Sequence, residues 1–379
     1  MTEPQAQPGS RSRLAGLFVP VGTLLVLVMM IGLIYAVAGK TLGYDFEAYR
    51  GAAQRLVSGE RLYDPSVSVA GGFAIYLYPP PFAVAMVPLL ALPDDLARVL
   101  WFLAMALCLP AGAALLPVDR RIRWLIVLLG ALNWPFLYSV KLGQVGPLLF
   151  LILAAAWRWR DRAGPLGVAI ALGTLIKIQP GLLIPWAAVT RRFPAAVAAV
   201  LVTVAVAAVA TVATGWGAWL DYVALLGRVS SAVTTLHNCS PGAVLYQAGA
   251  PEALASLVQM ASTVLAAGAV LLAWRFARPE ASLAVTVVAS QLLTPLLWDH
   301  YAVLLLLPTA WLLERGRTWA VVFPLAGWIS LFDSGSSWLP SASVPLVFFG
   351  CLAALLWEAA LERRRARIPG AASTPASAT

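Results

Sequence analysis

The sequence predicts an all-α, polytopic membrane fold, and three observations carry that prediction. The chain of 379 residues is 61% hydrophobic and only 11% charged, with a mean hydropathy of +0.83. A soluble domain has roughly 45–50% apolar and about 25% charged residues. Its apolar residues fall in runs of the length needed to cross a hydrocarbon core about 30 Å thick, which takes about 20 residues of helix. Its basic residues, 26 against 17 acidic for a net charge of +9, stand in short clusters between those runs.

Composition also excludes several classes. Disordered, collagen-like and disulfide-scaffold chains cannot be this apolar. The cation supply is almost wholly arginine, with lysine only at Lys40, Lys141 and Lys177. Arginine clusters between apolar runs fit cytoplasmic loops, and no basic stripe is interleaved with a soluble motif, so no nucleic-acid partner is expected. Cys108, Cys239 and Cys351 are scattered and form no CxxC pair, which leaves no zinc or redox motif.

Taken in order, residues 1–14 read as a cytoplasmic N-terminal tail. The first apolar stretch, Ala15 to Ala38, follows Arg11 and Arg13; it exceeds a signal-peptide core and reads as a signal-anchor helix. Further runs lie near 94–117, 165–189, 194–214, 252–274, 281–297, 300–313, 318–332 and 341–361, with shorter, proline-marked runs near 79–92, 122–139 and 145–157. Together they predict a single transmembrane domain over 15–361 with about twelve crossings. Residues 362–379 read as a cytoplasmic tail, small, polar and disordered from Pro369 onward.

With the N-terminus inside, the clusters at Arg191–Arg192, Arg275 and Arg278, Arg315 and Arg317, and Arg363–Arg367 fall inside, as the positive-inside rule requires. Arg120, Arg121, Arg123 and Arg158, Arg160, Arg162 would face outward, unless run 79–92 fails to cross and run 165–189 is a hairpin broken at Lys177.

Two long loops, 39–78 and 215–250, then fall on the outer face. In the first, Phe46, Tyr49, Ala53, Leu56 and Val57 share one helical face, and Glu47, Arg50, Gln54 and Ser58 another. This reads as a short amphipathic helix on the membrane surface, ended by Gly59. In the second, Trp216, Trp219 and Tyr222 look like interfacial anchors, and His237-Asn238-Cys239-Ser240-Pro241-Gly242 reads as an irregular turn.

Chemistry-bearing residues are few. Asp45, just after the first crossing, stands where a carboxylate would meet a lipid headgroup, and reads either as a helix cap or as a base. Lys177, in Leu175-Ile176-Lys177-Ile178-Gln179-Pro180, is a costly cation within an apolar run, so it faces a partner or a water-filled cavity, or else snorkels to the interface. A phosphate suits it, and Pro180 loosens the helix there. In Trp298-Asp299-His300-Tyr301, His300 offers a donor to a phosphate or sugar hydroxyl and Asp299 a cap. Lys141, Gly143 and Gln144 mark a break between runs, and Tyr76-Leu77-Tyr78-Pro79-Pro80-Pro81 forms a stiff aromatic entry to the next. No GxSxG, HExxH, Walker A or strand-associated GxGxxG occurs, which leaves chemistry or transport at the outer leaflet.

Six strings follow one another in an order that resembles a known family: YDFEAYRGAAQRLVSGERLYD (44–64), YLYPPPFAVAMVPLLALP (76–93), KLGQVGPLLF (141–150), LIKIQPGLLIPW (175–186), NCSPGAVLY (238–246) and LLTPLLWDHYAVLLLLP (292–308). Together they resemble the polyprenyl-phosphate-mannose-dependent mannosyltransferases of glycosyltransferase family 87. The resemblance implies a GT-C-like bundle with its active site beneath the first outer loop, in a multi-pass protein of the bacterial plasma membrane. It implies an inverting transfer of a sugar from a polyprenyl-phosphate donor to a hydroxyl of an envelope glycolipid or polysaccharide.

Asp45 matches the family's acidic general base at the start of that loop. Lys177, His300, Gln144 and Tyr78 are then donor phosphate or sugar contacts, and Glu47, Arg50, His237 and Asn238 acceptor or loop contacts. No metal or cofactor is expected beyond the lipid-linked sugar as co-substrate, since a polyprenyl phosphate leaves without a general acid when cationic groups hold its charge. Mannose follows from the resemblance, with arabinose or another pentose left open by the residues. The Arg- and Ala-rich, Lys-poor composition points to a GC-rich bacterial genome. The alternative is a secondary transporter or flippase for an envelope lipid or glycan precursor, for which Lys177 and the broken helices would mark the binding site.

Overall fold

A computed structural model describes residues 10–63, 75–229, 232–235, 237–332 and 338–367. The predicted terminal tails beyond 10 and 367, and loop residues 64–74, lie outside the described residues. Among these, helices are the only regular elements.

The first helix, α1 (Ser10–Ala38), leads through a 3-10 turn at Gly39–Thr41 into α2 (Tyr44–Val57), the expected amphipathic helix. Gly59 ends it with φ +72, a left-handed conformation that glycine adopts without strain. The buried face is Phe46, Ala48, Tyr49, Ala52 and Ala53, so the helix is rotated relative to the predicted face and leaves Val57 more than half exposed. After the described loop resumes come α3 (Pro80–Met86), a 3-10 segment at Val87–Ala91 and α4 (Asp94–Leu115). Run 79–92 packs back on α2: Arg50 donates to the carbonyls of Leu89 and Leu92 and pairs with Asp94.

Next are α5 (Arg120–Ala131) and α6 (Trp134–Leu142), bent by 63° where Asn133 caps the second and Pro135 opens it. Then α7 (Gly146–Arg158) returns. Run 165–189 is broken where the sequence suggested: α8 (Ala163–Ile176) stops at Lys177, a 3-10 turn spans Gln179–Leu182, and α9 (Leu183–Val189) runs back. Pro180 sits against Gly173, where a Cβ would come within 2.8 Å of it, so glycine permits the tight return. The remaining helices are α10 (Phe193–Thr214), α11 (Gly217–Val229), α12 (Pro241–Gln247), α13 (Glu252–Phe276), α14 (Pro279–Leu292), α15 (Leu306–Leu313), α16 (Val322–Leu325) and α17 (Leu339–Arg367). The last continues past residue 361, so the first residues of the predicted C-terminal tail are helical.

Among the described residues, five helices are long and apolar enough to cross a membrane, six if α5 and α6 form one bent span. The expected twelve crossings counted shorter runs as well. Pro80–Ala91, Gly146–Arg158, Ala163–Ile176, Asp299–Leu313 and Thr318–Phe332 are apolar but shorter helical stretches, three of them partly 3-10. This is a multi-pass membrane protein.

Side-chain contacts tie the arginine clusters to one end of the bundle. Arg192 pairs with Asp161 at 2.7 Å and donates to the Arg160 carbonyl, and Arg160 pairs with Glu280 at 3.0 Å. The Asp119 amide donates to Glu314, Arg315 pairs with Glu362, and Arg363 lies 4.7 Å from the Phe276 ring centre. Clusters 120–123 and 158–162 therefore join the others. The hairpin at 163–189 and the packing of 79–92 back on α2 accompany that arrangement.

Candidate active site

At the opposite end from the arginines, the start of α2, the end of α6, the hairpin tip at Lys177 and the 3-10 segment Asp299–Leu305 converge on one cavity of about 540 Å³. Its lining includes Asp45, Tyr49, Tyr78, Gln144, Lys177, His237 and His300. Five residues expected to touch the donor or the reacting hydroxyl, Asp45, Lys177, His300, Gln144 and Tyr78, are thus brought together from positions spread over the chain.

Asp45 is held there by the turn after α6. The Gly43 amide donates to the Lys141 carbonyl at 2.8 Å, Trp101 donates to the Gly143 carbonyl at 2.6 Å, and Phe46 stacks on Trp101 at 5.6 Å. The residue capping α2 is Gly43, with φ +74, and Asp45 sits one position into the first turn without a capping bond. Among the described residues no donor hydrogen-bonds its carboxylate, which is partly exposed, and to the cavity. Enclosure pushes its pKa above the usual carboxylate value of 3.8, while His300 and Lys177 pull against that rise.

Lys177 leaves α8 in an extended conformation, and its ammonium lies 3.6 Å from the centre of the Tyr301 ring and 5.8 Å from that of Tyr78. His300 is held by its backbone: its amide donates to Asp299 Oδ1 at 2.7 Å, and its carbonyl accepts from Ser139 at 3.3 Å. Its ring stacks on Trp298 at 6.3 Å, Nδ1 lies 3.5 Å from Asp299, and Nε2 has no protein partner among the described residues.

Gln144 and Tyr78 bond each other. Gln144 Nε2 donates to the Tyr78 hydroxyl at 3.1 Å, its Oε1 accepts from the Gly146 amide at 2.6 Å, and the Tyr78 hydroxyl shares a 2.8 Å bond with that of Tyr49. Tyr63 donates to the Tyr78 carbonyl at 2.7 Å, which completes the stiff aromatic entry.

The expected acceptor contacts divide. His237, in a left-handed conformation at φ +59, lines the cavity. Glu47 and Arg50 do not line it and are engaged elsewhere, with Arg98 at 2.7 Å and with Asp94 respectively. Asn238 is fully buried and spends its side chain as a clamp. It donates to the Pro295 carbonyl at 2.9 Å and accepts from the amides of Ser240 and Leu297 at 2.9 and 3.0 Å.

Five aromatic lining residues had no role assigned from the sequence: Tyr44, Trp298, Tyr301, and the pair Trp134 and Tyr138, stacked at 5.3 Å. The i, i+4 spacing of the pair on a polar-poor run was the signal available for them.

Residues 76–298, more than half of the chain, match glycosyltransferase family 87. The chain belongs to that family. Two relatives are similar along most of their length. A Mycobacterium tuberculosis (strain CDC 1551 / Oshkosh) protein, named polyprenol-phosphate-mannose-dependent alpha-(1-2)-phosphatidylinositol pentamannoside mannosyltransferase, is 27% identical over 296 residues, 72% of this chain and 67% of its own. A protein of the same name from Mycolicibacterium smegmatis (strain ATCC 700084 / mc(2)155) is 26% identical over 374 residues, 92% of this chain and 88% of its own. In this family 87 glycosyltransferase, the matched span includes Tyr78, Gln144, Lys177 and the Asn238 clamp, while Asp45 lies before it and His300 just beyond it.

Proposed function

We propose that the protein moves mannose, with inversion, from a polyprenyl-phosphate donor to a hydroxyl of an envelope glycolipid, and that Asp45 is the general base. The observation that carries this reading is the Asp45 carboxylate, without a hydrogen-bond donor among the described residues, in the same cavity as Lys177 and His300. The names of the two relatives supply the sugar, the lipid carrier and a phosphatidylinositol mannoside as acceptor class.

The step needs one base. The acceptor oxygen attacks the anomeric carbon, its proton passes to Asp45, and the bond from that carbon to the phosphate oxygen breaks from the opposite face. The leaving polyprenyl phosphate gains a negative charge. Lys177 and His300 are the groups in the cavity that oppose it, and stabilising charge that develops in the transition state is the largest lever a site has. The raised pKa of Asp45 suits the role, because a carboxylate in an enclosed, poorly solvated site is a stronger base than one in water. No cofactor is required beyond the donor.

The arginine-rich end faces the cytoplasm in this reading, which places the cavity at the outer face, where membrane lipids present the donor's phosphosugar. Purified protein in lipid vesicles, given polyprenyl-phosphate mannose labelled in the sugar and a phosphatidylinositol mannoside fraction, tests the whole. Transfer by the wild type that Asp45→Asn abolishes at equal folded yield supports both activity and base. Transfer at an unchanged rate by Asp45→Asn removes the base, and no transfer by either removes the donor or the acceptor assigned.

A further inference from the structure

We infer that the Tyr301 ring is a positioning group that holds the Lys177 ammonium by its π face and leaves all three N–H donors for the donor phosphate. The inference rests on the reading of Lys177 as a phosphate contact. Lys177 Nζ lies 3.6 Å from the ring centre of Tyr301, well within the range of a cation–π contact, with the Tyr78 ring behind it at 5.8 Å. Among the described residues no carboxylate pairs with it and no carbonyl accepts from it. Both side chains line the cavity, and Tyr301 is itself 7% exposed.

An ammonium in an apolar bundle needs an electrostatic partner. A carboxylate in contact would provide one, but it would occupy the donors, cancel the charge and repel an incoming phosphate. An aromatic face attracts the cation through its quadrupole while accepting no conventional hydrogen bond. The ammonium is thereby fixed in place and still unspent.

The two partners reach each other from separate elements. Lys177 projects from the hairpin tip, where its amide still donates to Gly173 at 2.8 Å, and Tyr301 stands in the 3-10 segment, its amide bonded to the Trp298 carbonyl at 3.1 Å. The same segment carries His300, whose ring meets that of Tyr301 edge-on at 4.9 Å. One short segment therefore carries His300 and the ring that holds the Lys177 ammonium.

The test is a double-mutant cycle in vesicles, reading the KM for labelled polyprenyl-phosphate mannose separately from kcat and from the KM for acceptor. Tyr301→Leu is expected to raise donor KM on the order of 10-fold with acceptor KM unmoved, and Tyr301→Phe, which keeps the ring, to stay within about threefold of wild type. In a Lys177→Met background, Tyr301→Leu is expected to add less than about twofold, because the ring then has no cation to hold. If Tyr301→Leu does not fold, Tyr301→Met takes its place in the cycle. Effects of Tyr301→Leu and Lys177→Met that multiply, or a Tyr301→Phe as impaired as Tyr301→Leu, overturn the positioning role and leave the phosphate reading intact. A Lys177→Met with wild-type donor KM overturns the phosphate reading, and this proposal with it.

Discussion

Arg192 and Asp161 stand 31 residues apart in the chain and pair at 2.7 Å, which closes the hairpin between them and brings its two ends to the same level. Between them α8 climbs to Lys177 and α9 descends, so an apolar run long enough to span a membrane enters and leaves at one end. The tip delivers a lysine to the cavity, and the two feet stay among the arginines.

That geometry predicts labelling. With Cys108, Cys239 and Cys351 replaced by Ala, single cysteines at Asp161 and at Arg191 should react with an impermeant maleimide from the same side of the membrane, and one at Gln54 from the other. Labelling of 161 and 191 from opposite sides would make 163–189 a crossing and break the arrangement of the arginine end.

Asp45 should set the acid limb of activity. Its pKa is raised by enclosure, and the base works only when deprotonated, so kcat/KM should fall with decreasing pH at a value above 3.8. Asp45→Asn should lose about 10²- to 10⁴-fold in kcat and lose that limb with it. A pH–rate profile of both proteins checks this.

The same shift has a stability consequence of opposite sign to the catalytic one. A carboxyl whose pKa is raised by folding binds its proton more tightly in the native than in the unfolded state, so native stability declines as pH rises from 3.8 through the raised value. Above that window Asp45→Asn removes the penalty. Thermal melting in detergent at pH 7 should therefore place the variant at or above wild type, while its activity is lost.

Gly143 should be intolerant of any side chain. Its φ is +71, and a Cβ there would come within 2.9 Å of Phe46 Cβ and 3.2 Å of the Trp101 ring, the two groups that seat α2. Gly143→Ala should cost about 1–3 kcal/mol of stability and lower kcat by displacing Asp45. Gly59→Ala is the control. With φ +72 and nothing within 4 Å, it carries the backbone strain alone and should leave kcat unchanged.

Asn238→Ala should behave as a clamp loss. It strands the buried amides of Ser240 and Leu297 and the part-buried carbonyl of Pro295, at a cost of about 2–4 kcal/mol. Melting should fall and both substrates' KM should rise together. A rise in acceptor KM alone, with unchanged melting, would instead make Asn238 a direct contact.

Composition, run length and arginine spacing determined that the chain is a helical membrane protein, and the ordered motifs from Asp45 to His300 determined its family. Those properties are local or additive: burial in lipid depends on stretches of residues, and a motif is read along the chain. The amphipathic α2 was legible because its period and its terminal Gly59 are local, and the break at Lys177 because Pro180 marks it.

What only the tertiary structure decided is which apolar runs fold back on themselves and which polar groups are engaged elsewhere. Run 165–189 has the hydropathy of a span, and it becomes a hairpin because Gly173 admits Pro180 and Arg192 finds Asp161. Glu47 and Arg50 share a helix with Asp45, yet their partners lie on α4 and just before it, on a face the sequence does not label. Asn238 was expected to touch the acceptor and Tyr301 carried no expectation, and long-range contacts gave one a clamp and the other a cation. A side chain's role follows from what stands within about 4 Å of it, and that neighbourhood is assembled by folding rather than by sequence order.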